Sequence, residues 1–96
     1  VDLQQKWRER AGGPRRDSAA EALIVELPAH PIVTVATAQK FLARSKQAVN
    51  EGIGSLANTG VLHQITLARR NRAWEARDVF ALIDAVEREL AIPPGE

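Results

Sequence analysis

Cysteine, methionine and tyrosine are all missing from this chain of 96 residues. Without cysteine there are no disulfides and no thiolate metal sites, and nothing points to an oxidising compartment. Without methionine the chain cannot begin at a natural start codon, so it reads as a fragment or a processed product. Aromatic residues are scarce, Trp7, Phe41, Trp74 and Phe80 being the whole set. Aliphatic residues and alanine must therefore build the core, which suits thin helices packed closely. No apolar run approaches the ~20 residues of a membrane span, and no signal peptide is present. The expected location is the cytoplasm, with no membrane partner. A chain this short buries only about 60–65% of its unfolded surface, so a single domain of modest stability is expected.

Net charge is also nearly absent, at +1, but it is unevenly distributed. Residues 1–16 carry five basic and two acidic groups, and residues 17–30 carry three acids and no base. Residues 31–75 hold six basic groups against two acidic ones, whereas residues 76–96 hold two against five. A basic excess in the middle of a chain is one footprint of an anionic partner, although an ordinary solvated surface also produces it.

The pattern of residues predicts a largely helical domain. Residues 1–10 look helical and begin abruptly, and Gly12, Gly13 and Pro14 end them; residues 1–16 read as a remnant helix and linker from an upstream domain. Ser18 followed three residues later by Glu21 has capping-box spacing, and Ala20, Leu23, Ile24 and Leu27 form one apolar stripe behind it. Ile32-Val33 is a short β-branched step. Thr34 is the next N-cap, before a helix of about two turns with Val35, Ala38, Phe41 and Leu42 on one face. Arg44 lies in a tight turn and Ser45 caps a longer helix carrying Val49, Ile53, Leu56 and Ala57, which Gly60 ends. Two helices joined by so short a turn form a helix-turn-helix. After Gly60, VLHQITL and RAWEA are β-prone runs around a basic tip, Ala68-Arg69-Arg70-Asn71. Arg77 to Ala91 is a final helix whose buried face is expected to be Val79, Leu82, Ile83, Val86 and Leu90. Residues 92–96 are a tail.

The order is that of a winged helix-turn-helix: an α+β, mostly helical fold over residues 17–91, with a three-helix core, a small hairpin wing and a C-terminal helix. The run from Pro31-Ile32-Val33-Thr34-Val35 through Ser45, Leu56 and Gly60-Val61-Leu62 to Arg70-Asn71-Arg72 resembles the C-terminal winged-helix domain of bacterial Fic-family proteins. Trp74 stands where that family often has tyrosine. The resemblance implies an upstream Fic catalytic domain that transfers AMP, or a related group, to a protein hydroxyl. That activity resides in a motif resembling HPFxxGNGR. Here His30-Pro31-Ile32 is followed by Val33-Thr34-Val35 in place of the phosphate-cradling residues, so this chain is expected not to be an enzyme and to need no cofactor or metal.

Two roles stay open at this point. In the first, double-stranded DNA is contacted by the second helix of the pair and by the wing. Ser45, Lys46, Gln47 and Asn50 fall on the first turns of that helix, with amide side chains suited to adenine edges and Lys or Ser suited to phosphate or guanine. Arg44, Arg69, Arg70 and Arg72 would add phosphate contacts. In the second, the fold is a protein-docking or dimerisation module that never meets nucleic acid. Glu51 opposes phosphate, and Gly52 and Gly54 weaken a reading helix by up to ~1 kcal/mol each unless they admit a close neighbour. Lone His30 and His63 read as loop and strand residues, Trp74 as core, and Glu87 and Glu89 as a solvated face. The last helix is expected to pack on the Ser18–Leu27 helix, with a homodimer through terminal helices as the alternative.

Overall fold

The computed structural model describes residues 3–68 and 71–91, without the side chains of residues 66–68, 71 and 91. It shows an α+β fold with five helices and a three-stranded antiparallel sheet among those residues. Helix α1 (Leu3–Arg10) leads into α2 (Ala19–Glu26), strand β1 (Ile32–Val33), α3 (Val35–Leu42) and α4 (Lys46–Asn58). Strands β2 (His63–Ala68) and β3 (Asn71–Glu75) and helix α5 (Arg77–Ala91) complete the order. None of these helices is long and apolar enough to cross a membrane.

Local chemistry sets most of the boundaries. Ser18 accepts the Glu21 amide at 3.1 Å, Thr34 that of Thr37 at 3.1 Å, and Ser45 that of Ala48 at 3.1 Å. Each side chain thereby satisfies one donor that the first helical turn leaves without a partner. The reciprocal capping box forms at Thr34, whose own amide donates to the Thr37 hydroxyl at 2.9 Å. At Ser18 only half of the expected box forms. The Glu21 carboxylate instead takes a bidentate grip from Arg8, with Nε and Nη2 both at 2.9 Å. Helix α4 ends in the paired bonds of a Schellman motif, Val61 N–H to the Leu56 carbonyl and Gly60 N–H to that of Ala57. Gly60 has φ of +82°, which a residue without Cβ adopts at no steric cost. Val61 and Leu62 follow as buried residues, so β2 starts at His63, two residues later than the β-prone run begins.

The sheet order is β1-β3-β2. Val33 is opposite Trp74, Gln64 is opposite Trp74 on the other side, and a bulge falls between Thr66 and Ala68. The core is filled by Leu23 and Ile24 of α2 and Leu27 at its C-cap, Val49, Ile53 and Leu56 of α4, Val33, Ala38, Val61, Leu62 and the two tryptophans. Trp74 lies in the core, as the sequence suggests.

Helix α1 is part of the core: Trp7 has no exposed surface, and its indole N–H donates to Asp78 Oδ2 at 2.9 Å. Gln4 donates to the Val25 carbonyl at 3.0 Å, closing the far end of α2. One expectation is corrected, at α5. Only Val79 of its apolar stripe is buried; Leu82, Ile83, Val86 and Leu90 are exposed, the last by 80%. The helix is held at its first turn by Asp78, which accepts from Trp7 and Arg10, and then leaves the body of the protein. A 15-residue helix is about 22 Å long. The projection accounts for a radius of gyration of 15.0 Å, against about 12–13 Å for a compact chain of this length.

Candidate nucleic-acid interface

The site is built on the α3–α4 turn. Helix α3 ends at Leu42, and Ala43 adopts the left-handed conformation with φ of 53° and ψ of 45°. That residue reverses the chain in a single step and leaves Arg44 and Ser45 to enter α4. Arg44 Nη1 then donates to the Asp17 carbonyl, which fastens the turn to the loop before α2. Ser45 spends its hydroxyl on the Ala48 amide and its carbonyl on that of Val49. The next two amides, of Lys46 and Gln47, have no acceptor among the described residues. They leave a partial positive charge at the mouth of a 13-residue helix.

The exposed face of α4 carries Lys46, Gln47, Asn50 and Glu51, while Val49, Ile53 and Leu56 face the core. This follows from helical spacing, which places positions 47, 50, 51 and 54 on one side and 49, 53 and 56 on the other. Gln47 Nε2 reaches Glu51 Oε1 at 3.4 Å, so one amide donor is loosely committed to the one acid on this face. Gly52 is where α2 approaches: a Cβ there would lie 3.0 Å from both Ala19 Cβ and the Ala20 amide nitrogen. That close approach holds α4 against α2. Gly54 faces open space and has no such reason.

Five of the expected residues, Arg44, Ser45, Lys46, Gln47 and Asn50, are thus brought together at one helix start. Arg72 is exposed on β3 at the register position opposite Thr66 and makes no ion pair among the described residues. Arg69 and Arg70 lie outside the described residues. No family model matches the sequence, and no curated protein is detectably similar to it. The site must be judged on its own geometry.

One cation at this surface escapes a reading from sequence. Arg15, in the stretch read as linker, lines a groove with Ser18, Arg44, Glu51, Gly52 and Ser55. It therefore joins Arg44 beside α4. Its separation from Arg44 in the chain hides this, although the close packing of α2 on Gly52 is what brings it there. The two histidines stay apart from the site. His30 is exposed and stacks on Phe41, with centroids 4.7 Å apart, and His63 is half-buried on β2. Among the described residues no three His, Asp or Glu side chains converge closely enough to hold a metal ion.

Proposed function

We propose that the chain is a winged-helix module that contacts double-stranded DNA through the first turns of α4, with the β2–β3 hairpin as its wing. The observation that carries this reading is the uncovered start of α4. Lys46, Gln47 and Asn50 are all exposed on an intact helix whose other side is locked into the core. A helix with exposed amide and ammonium groups on its leading turns has the form and chemistry required in a major groove. Arg72, and Arg15 beside Arg44, supply further cations for phosphate. Glu51 works against them. The sequence likeness through Pro31–Val35, Gly60–Leu62 and Arg70–Arg72 supports placing the module in a Fic-type protein, where it would direct the catalytic domain rather than carry out chemistry.

Fluorescence anisotropy with a random duplex at several salt concentrations tests the reading. Non-specific binding should fall in the range of about 10⁻⁴–10⁻⁶ M at physiological salt and weaken steeply as salt rises. Lys46→Ala and Arg72→Ala should each lower the salt slope by about one, because each removes one phosphate contact. Glu51→Gln should tighten binding about threefold by removing the opposing charge. An unchanged anisotropy at low salt would overturn the proposal.

A further inference from the structure

The longest helix of the molecule leaves its apolar face uncovered. Val79, Ile83, Val86 and Leu90 succeed one another at steps of four, three and four, the spacing that keeps one seam facing a partner helix. Leu82 and Phe80 flank the seam, and from Phe80 onward all of these side chains are exposed. They present an apolar patch on the order of 450 Å², of the size that marks interaction surfaces.

We propose that the occupant is the α5 helix of a second copy of this chain, laid antiparallel along the first. Charge selects this arrangement. Helix α5 carries two basic and four acidic residues, and its C-terminal half holds Glu87 and Glu89, neither in an ion pair among the described residues. A parallel pair would set these four carboxylates side by side. An antiparallel pair instead carries them to the partner's first turn, where α1 and α5 bound a groove of about 450 Å³ lined by Leu3, Lys6, Arg10, Asp78, Ala81 and Leu82, two bases against one acid. Lys6 is exposed there with no ion pair among the described residues, and Arg10 shares one nitrogen between Asp78 Oδ2 at 3.2 Å and the Gly60 carbonyl at 3.3 Å. The twofold axis makes the contact twice, so each copy's acidic end meets Lys6 and Arg10 of the other. With Leu3 and Ala81 added, the two patches bury close to ~1,000 Å², the low end for a specific interface, as suits a weak and reversible dimer. This inference does not depend on DNA binding.

Sedimentation equilibrium of the chain from micromolar to millimolar concentration should show the mass rising from 10.5 kDa to twice that value. Val86→Glu should abolish the rise, whereas Val25→Glu, at an exposed apolar position on α2, should leave it intact. Circular dichroism on each variant checks the fold. The paired change Glu87→Lys with Glu89→Lys should weaken association at least tenfold, and Lys6→Glu added to it should recover part of the loss. A single 10.5 kDa species at every concentration overturns the proposal, as does a dimer that survives Val86→Glu. A dimer indifferent to the charge exchange overturns the antiparallel arrangement.

Discussion

Helices α2 and α5 both carry an apolar stripe, yet the two stripes end in opposite situations. In α2 the stripe of Ala20, Leu23, Ile24 and Leu27 is buried from end to end between α1, α3 and α4. In α5 the stripe is buried at Val79 and exposed at each later position. Both ends of α2 are bonded to other elements: Glu21 to Arg8, and the Val25 carbonyl to Gln4. Helix α5 is anchored among the described residues at its first turn, through Asp78. Periodicity says that a helix face needs cover; it does not say whether the cover is in the same chain.

Truncation mutants turn that difference into numbers. The largest effect is expected at α2, where Leu23→Ala should cost about 2–5 kcal/mol, a large share of the stability of so small a domain. Ile83→Ala on α5 should cost under ~0.5 kcal/mol in dilute solution, where the chain is monomeric. Urea denaturation of the two variants at low concentration makes the comparison, and equal losses would mean that α5 is packed within its own chain. A finer version lies inside α4. Gly52→Ala puts a methyl group 3.0 Å from the α2 backbone and should destabilise by about 1–3 kcal/mol. Gly54→Ala meets open space and should stabilise by up to ~1 kcal/mol through helix propensity. Equal effects at the two glycines would remove the close α2–α4 seam from this account.

The same contrast explains what could be read from the residues alone. Caps at Thr34 and Ser45 and the stop at Gly60 were legible because each depends on groups within a few residues of one another. The stripes of α2 and α4, the short step at Ile32-Val33 and the exposed start of α4 followed from spacing. What escaped depends on distant partners. Glu21 has capping-box spacing, but Arg8, thirteen residues away, claims its carboxylate. Trp7 looks like part of a detached helix until Asp78, 71 residues on, accepts its indole N–H. Arg15 joins the candidate site only because Gly52 lets α2 come close. The α5 stripe resembled the buried ones because its periodicity is the same as theirs.

The two faces can be separated in one experiment, a titration of the ¹⁵N-labelled chain with a random DNA duplex at low salt, followed by amide chemical shifts. The account predicts that shifts concentrate at residues 44–50 and at Arg72, with the exposed half of α5 unaffected. Shifts confined to α5, or no shifts at the start of α4 at saturating duplex, would contradict it.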